Sequence, residues 1–192
     1  MPSLAVVYYS KEGHTHAVAE AVAAGAGAVA GVTVELVRLA DADIQNGRWK
    51  NDAQLAAVTA ADGIVFGTPT YMGGYSAQMK AFIDAASGVW YQQGWKDKIA
   101  AGFTHSAGLS GDKVNTLTGL MVNANQHSMI WVSTGLMVEG PGPDQVNRLS
   151  SYSGAMAQTF PPGGPVPAGD LKTAGLFGAR VAEAVVRWVK GK

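Results

Sequence analysis

Five short apolar runs, separated by helical patterns, constrain the fold of this chain more than any other feature. The runs span residues 4–9, 32–37, 64–68, 99–104 and 129–133. Strands that alternate with helices predict an α/β fold, with a doubly wound, five-stranded parallel sheet and helices on both faces. Right-handed, unknotted connections favour the strand order 2-1-3-4-5. Four runs are nearly continuous, as expected of strands buried on both faces, whereas the second alternates and fits an edge strand.

The remaining segments divide into helices and one long irregular stretch. Apolar residues three or four apart predict a helix near residues 16–29 and a longer one from residue 170 to the end. In the last helix we predict Asp170 as the N-cap, with Lys190 and Lys192 near the C-terminal end. Residues 134–168 are interrupted by glycines and prolines, and we expect a long loop that covers a site or an interface. A single domain over residues 1–192 is the simplest organisation.

Composition removes several classes of function. The chain has no cysteine, which excludes disulfides, thiolate metal sites, iron–sulfur clusters and cysteine nucleophiles. Its 14 basic and 14 acidic residues balance, and no basic stripe is present, so we expect no nucleic-acid partner. No segment is long and apolar enough for a membrane span, and the N-terminus lacks the features of a secretory signal. These observations predict a cytoplasmic protein with a small-molecule ligand.

The turn that follows the first strand has the features of a phosphate-binding loop. A buried strand that runs through a short Ser/Gly/Thr turn into a helix directs backbone N–H groups and the helix dipole at one point. The residues of this turn are Ser10, Lys11, Glu12, Gly13, His14 and Thr15. We expect His14 to contribute its backbone N–H, and His16 to be an exposed residue of the first helical turn.

Two further loops are predicted to meet this turn at the carboxyl ends of the strands, where strands 1 and 3 diverge. The second contains Pro69, Thr70, Tyr71, Met72 and Gly73. Its glycines allow close approach to the edge of a planar ring, and Tyr71 or Met72 would lie against the ring face, although a plain strand–helix turn is the alternative. The third loop contains Thr104, His105, Ser106, Ala107, Gly108 and Gly111. Together, the three loops and the absence of cysteine narrow the ligand to a flavin phosphate, that of FMN.

Two aromatic residues outside these loops are also candidates. Trp90 follows the third helix and is either the wall of a site or part of an interface. His127 precedes the fifth strand and, taken alone, is more typical of a hydrogen-bonded structural histidine. The residues provide no metal cluster and no acid–base pair, which is consistent with chemistry carried out by a cofactor.

The chain resembles the tryptophan-repressor-binding-protein (WrbA) type of flavodoxin-like NAD(P)H:quinone oxidoreductases. The resemblance covers most of the sequence and is carried by Tyr8-Tyr9-Ser10 with Gly13-His14, by residues 66–70, by Ser76, Gln78-Met79 and residues 82–84, and by Gly88 with Trp90. It implies that residues 10–15 hold the FMN phosphate, that residues 69–73 border the isoalloxazine ring and that residues 104–111 complete the site.

The resemblance also implies an activity and an assembly. The activity is two-electron, ping-pong reduction of quinones by NADH or NADPH through tightly bound FMN. The assembly is a homo-oligomer, a dimer or a tetramer, with sites shared between subunits, in which His127 lies near the flavin and Trp90 beside the substrate. The chain differs from the family pattern at Glu12, Tyr71 and Met72. These differences keep a regulatory protein without cofactor as one alternative function, and a flavodoxin-type electron carrier is the other.

Overall fold

The computed structural model describes residues 1–191, and Lys192, predicted near the end of the last helix, lies outside them. The strands are β1 (Ser3–Tyr8), β2 (Thr33–Arg38), β3 (Ile44–Gln45), β4 (Arg48–Trp49), β5 (Gly63–Tyr71), β6 (Gly74–Tyr75), β7 (Ile99–Ser106), β8 (Ile130–Trp131) and β9 (Ala155–Gln158). The helices are α1 (His14–Gly27), α2 (Asp52–Ala60), α3 (Ala77–Ala85), α4 (Ser87–Tyr91), α5 (Lys113–Gln126) and α6 (Ala168–Lys190), with a 3₁₀ turn at Asp41–Asp43. None of the helices in residues 1–191 combines the length and hydrophobicity that a membrane span requires.

The central sheet confirms the predicted fold. Its parallel strands lie in the order β2-β1-β5-β7-β8, which is the order 2-1-3-4-5 of the five apolar runs. One apolar cluster packs α1 and α6 on one face, and a second packs α2, α3 and α5 on the other. β2 is the edge strand that its alternating pattern predicts, and four of its six residues are exposed. The short hairpin of β3 and β4 lies outside this sheet.

The fifth strand differs from the prediction. Only Ile130–Trp131 of residues 129–133 pair with β7, at its amino-terminal end. The carboxyl half of β7 pairs instead with β9, in the register Phe103↔Ala155 to Ser106↔Gln158. The two short strands thus share the edge position, and residues 132–154 leave the sheet between them. The stretch 134–168 is therefore a partly exposed excursion that contains a strand of the sheet, and not one continuous loop.

Helix α6 confirms the predicted apolar stripe but corrects its start. Ala174, Gly178, Val181, Ala182 and Val185 are buried against the sheet and α1. The N-cap position is held by Pro167, whereas Asp170 lies within the first turn and is 2% exposed. Asp170 is buried because its carboxylate accepts hydrogen bonds from Arg148 Nε and from the backbone N–H of Gln158, at 2.8 and 2.9 Å. Asp170 forms an ion pair with Arg148, 22 residues earlier in the chain, which the local sequence does not reveal.

Candidate cofactor-binding site

A pocket of about 600 Å³ opens at the carboxyl ends of β1, β5 and β7, where the first and third apolar runs diverge. This volume lies within the range usual for small-molecule and cofactor sites. The lining combines the turn after β1, the end of β5, the end of β7 and a segment after β9. Its residues are Ser10, Lys11, Glu12, His14, Thr15, Pro69, Thr70, Tyr71, His105, Ser106, Ala107, Thr159, Pro162 and Gly163.

The turn after β1 leaves several hydrogen-bonding groups without partners at one end of the pocket. Gly13 adopts φ +90°, which favours glycine, and turns the chain into α1. No side chain among residues 1–191 caps α1, so its first N–H groups remain free for a ligand. Ser10 is 3% exposed, and its buried Oγ has no partner within the described chain. Buried hydroxyls are almost always hydrogen-bonded, and the Ser10 hydroxyl is free to bond a group that enters the pocket.

Two histidines form the wall beside this turn. The rings of His14 and His105 stack at a centroid distance of 4.8 Å and an angle of 13°. His14 Nε2 contacts the carbonyl oxygen of Gly164 at 2.9 Å, and His105 Nε2 contacts Thr159 Oγ1 at 2.9 Å. Burial, together with nearby His14 and Lys113, lowers the pKa of His105 to about 4. His105 is therefore neutral at pH 7 and acts as a flat, uncharged wall.

Tyr71 and Glu12 line another part of the pocket, and a second tyrosine and carboxylate, Tyr9 and Asp41, lie near Tyr71 but outside the lining. Tyr9 is buried, and its hydroxyl donates to Asp41 at 3.2 Å, while Gln78 Nε2 donates to the same carboxylate at 2.7 Å. Burial and the Asp41 charge raise the pKa of Tyr9 to about 12. Tyr71 is 44% exposed at the rim, and burial with the charges of Glu12 and Asp41 raises its pKa as well. Both phenols therefore stay protonated near neutral pH.

Comparison with known proteins identifies the family of this fold and pocket. The family model "NADPH-dependent FMN reductase" matches residues 4–140. The chain belongs to this family. It is 38% identical over 188 residues to Flavodoxin FldP of Pseudomonas aeruginosa, covering 95% of this chain and 96% of that protein.

Solved structures agree with the family. A flavodoxin, WrbA-like protein from Agrobacterium tumefaciens is 42% identical with a TM-score of 0.77, over 97% of this chain and 99% of that one. This finding confirms the resemblance to WrbA-like proteins. An archaeal flavodoxin, 20% identical with a TM-score of 0.63, covers 96% of this chain and 99% of its own and shares the fold.

Because the chain belongs to the FMN reductase family, we ask whether the residues after β1 fit the phosphate of a flavin. The unpartnered Ser10 Oγ, the uncapped start of α1 and the positive φ of Gly13 together form an anion cradle. The guanidinium of Arg38 donates to the carbonyl oxygen of Ser10 at 2.9 Å and fixes the turn from outside. The residues therefore fit a phosphate monoester.

Several residues that the sequence predicted for the cofactor site do not line the pocket. Met72 and Gly73, with φ of 48° and 79°, form the tight turn between β5 and β6. This turn projects Met72 into solvent, fully exposed, so of the two proposed ring contacts only Tyr71 lines the pocket. Thr104 lies beneath the pocket, where its hydroxyl bonds Thr70 Oγ1 at 2.8 Å. Gly108 and Gly111 are exposed on the third loop, outside the lining.

Trp90 and His127 lie together in a different groove, of about 410 Å³, near the amino ends of β7 and β8. Trp90 is 45% exposed, whereas His127 is 5% exposed and its ring lies 4.2 Å from that of Trp95. Burial lowers the pKa of His127 to about 4, and its Nδ1 has no partner in residues 1–191. Within one chain, the structure does not bring these two residues to the pocket.

The sequence predicts that residues 134–168 cover a site or an interface, and the structure shows which of them line the pocket. Thr159, Pro162 and Gly163 wall the pocket because β9 carries the following segment to it. His16, expected to be exposed, is half-buried because its Nδ1 contacts the hydroxyl of Tyr8 at 2.6 Å. Lys113 is fully buried at the start of α5. A lysine beside the positive end of a helix dipole is unusual. This position at the start of α5 was the feature of the local sequence that could have marked Lys113 for attention.

Proposed function

We propose that the protein binds FMN in this pocket and acts as an NAD(P)H-dependent oxidoreductase that reduces quinones. The buried, unpartnered hydroxyl of Ser10 at the uncapped start of α1 is the observation that carries the proposal. The phosphate would contact residues 10–15. The ring would lie between Pro69, Thr70 and Tyr71 on one side and the third loop, with His105, Ser106 and Ala107, on the other.

In this scheme the residues of the protein bind FMN and orient the substrates against it. FMN, when bound, supplies the hydride chemistry. The protonated phenol of Tyr71 and the neutral ring of His105 provide surfaces that neither accept nor release a proton near pH 7. The partly exposed Tyr71 leaves one rim of the pocket open, so that the nicotinamide and then the quinone reach the ring in turn, which gives ping-pong kinetics.

Replacement of Ser10 provides a sharp test of the phosphate site. An unpartnered buried hydroxyl costs stability in the apoprotein, so S10A is expected to leave it equally or more stable while weakening FMN binding about 10-fold. The measurements are urea unfolding of the apoprotein and fluorescence titration with FMN. Thr134 is also buried with an unpartnered hydroxyl but does not line the pocket, so T134V is the matched control. Equal FMN affinities for S10A, T134V and the wild type would refute the phosphate assignment.

The oxidoreductase activity has a separate test. We expect the FMN-loaded protein to be bleached by NADH or NADPH without oxygen, to be reoxidised by a quinone, and to give parallel lines in double-reciprocal plots. Protein that binds FMN but gives no quinone turnover with either nicotinamide would contradict the enzyme proposal while leaving the cofactor assignment intact.

We further propose that the active unit is a homo-oligomer in which Trp90 and His127 of one subunit approach the pocket of another. The separation of their groove from the pocket within one chain supports shared sites. Large apolar residues are exposed near both, with Met72 fully exposed, Phe160 at 78% and Tyr91 at 83%. Exposed apolar surface of this kind is typical of protein interfaces.

A flavodoxin-type electron carrier is the second candidate, favoured by the name of the 38% identical relative, Flavodoxin FldP. A carrier of this type docks through complementary charge, and the balanced charge of this chain offers little steering. Rapid one-electron transfer to a protein partner, without quinone turnover, would favour this alternative.

A further inference from the structure

A buried lysine lies directly behind the third loop of the pocket. Lys113 is 1% exposed, and its Nζ donates to Ser106 Oγ at 2.9 Å, to the carbonyl oxygen of Gly108 at 2.7 Å and to that of Leu109 at 2.9 Å. Lysines are almost never fully buried unless their charge is satisfied. Here all three ammonium protons are directed at one loop.

The carbonyls of Ser106 and Ala107 are held by residues at the end of β9 and just after it. Gln158 Nε2 donates to the carbonyl oxygen of Ala107 at 2.8 Å, and the N–H of Thr159 donates to that of Ser106 at 3.3 Å. Gln158 is itself fixed, because its side-chain oxygen accepts from Arg148 and its backbone N–H donates to Asp170. Each carbonyl from Ser106 to Leu109 therefore has a donor inside the protein.

Because the peptide bond is planar, the directions of these carbonyls also fix the directions of the N–H groups that follow them. In a trans peptide, the C=O of one residue and the N–H of the next point in opposite directions. With the carbonyls of residues 106–109 drawn inward, the N–H groups of residues 107–110 are turned outward. These four N–H groups donate to no acceptor within residues 1–191. Of the four residues only Ala107 lines the pocket, next to Ser106, whereas Leu109 and Ser110 line a separate groove.

We propose that Lys113 is a positioning residue that holds the third loop so that its pocket-lining part, Ser106 and Ala107, is presented to the edge of the flavin ring. This inference rests on the proposed FMN site and assigns a role to a residue outside the pocket lining. Lys113 acts through the loop. Its loss leaves the carbonyl of Leu109 without a donor from residues 1–191 and leaves that of Gly108 with Ser106 Oγ alone, at 3.0 Å. Ser106 Oγ also loses its ammonium partner, so this pocket-lining residue is held less firmly.

The charge of Lys113 is expected to make FMN affinity depend on pH. Burial lowers its pKa to about 8, a shift that the Asp170 carboxylate opposes and the Arg148 guanidinium increases. His105, the other titratable group whose pKa responds to this ammonium, is already neutral above pH 7. Deprotonation removes one of the three donors, so FMN affinity is expected to fall as the pH rises from 7 to 9. The guanidinium of K113R keeps its charge, and its affinity is expected to stay flat over this range.

The experiment compares FMN dissociation constants of apoproteins at pH 7, 8 and 9, with unfolding free energies measured alongside. K113M is expected to weaken binding about 10- to 100-fold, as expected for the loss of a hydrogen bond from a charged group. K113R is expected to recover part of this loss. Lys98 is the matched control, because its Nζ also donates to backbone carbonyls, of Thr59 and Ala61, at the opposite end of the sheet. K98M is expected to lower stability without changing FMN affinity.

The outcomes separate this inference from the proposed function. A wild type that does not bind FMN overturns both. A wild type that binds FMN, together with a folded K113M of equal affinity, overturns only the role of Lys113. If K98M weakens FMN binding as much as K113M does, the effect is general destabilisation and the inference fails. If K113M does not fold, the pH series of the wild type and K113R decides, and equal slopes for the two overturn the inference.

Discussion

At the scale of single residues, burial rather than charge sets the behaviour of two histidines. His105 and His127 are 7% and 5% exposed, and burial is the largest cause that lowers the pKa of each to about 4. Neither ring has a carboxylate partner among its recorded contacts, so protonation would place an uncompensated charge in the interior. The folded protein therefore holds both rings neutral.

This arrangement predicts a loss of stability in acid. The pKa of each ring in the fold lies below the unfolded value of 6.5, so the unfolded chain takes up protons first as the pH falls. Stability is complete above pH 6.5 and falls toward pH 4, by up to about 3 kcal/mol for each histidine. Urea unfolding of the apoprotein between pH 7.5 and 4.5 measures the slope, and the double variant H105N/H127N should flatten it. An unchanged slope in that variant would show that other groups cause the acid sensitivity.

At the scale of elements, close packing of α1 against α6 depends on glycines. A Cβ placed on Gly25 would overlap the carbonyl oxygen of Gly175, and one on Gly178 would overlap that of Val22. The two helices therefore approach backbone to backbone on one face of the sheet. Glycines within helices, which cost stability by propensity alone, are retained here because no larger residue fits.

Two glycine-to-alanine substitutions in α1 distinguish the effect of helix–helix packing on stability from that of helix propensity. G25A is expected to destabilise the protein by about 2 to 3 kcal/mol, because the added methyl forces α1 and α6 apart. Gly27 ends the same helix with open space around it, so G27A is the control and is expected to be neutral or slightly stabilising. Thermal or urea unfolding measures both. Equal effects of the two substitutions would mean that the close approach is not maintained in solution.

At the scale of the whole molecule, the two separated sites make subunit sharing testable. A variant with a disabled pocket, S10A combined with G13V, and a variant with a disabled groove, W90A/H127A, are each expected to have little quinone reductase activity. After the two are mixed under conditions that exchange subunits, hybrid oligomers contain intact pockets beside intact grooves, and activity is expected to exceed the sum of the separate samples. No recovery, despite exchange confirmed by mass, would argue against shared sites.

The sequence by itself determined the features that depend on neighbouring residues. Apolar periodicity predicted the helices and the order of the parallel strands, and the structure confirms this order. The fold prediction succeeded because strands and helices are determined largely by adjacent residues. The chemistry of residues 10–15 predicts a phosphate loop, and five of these six residues line one pocket.

The tertiary structure decided what depends on residues far apart in the chain. The chain leaves the sheet after β8, residues 155–158 of β9 pair with residues 103–106 in its place, and the segment after β9 therefore walls the pocket. The burial of Lys113, the ion pair of Asp170 with Arg148 and the distance of His127 from the pocket have the same origin. Burial and hydrogen-bond partners are properties of the packed chain, and local sequence encodes neither.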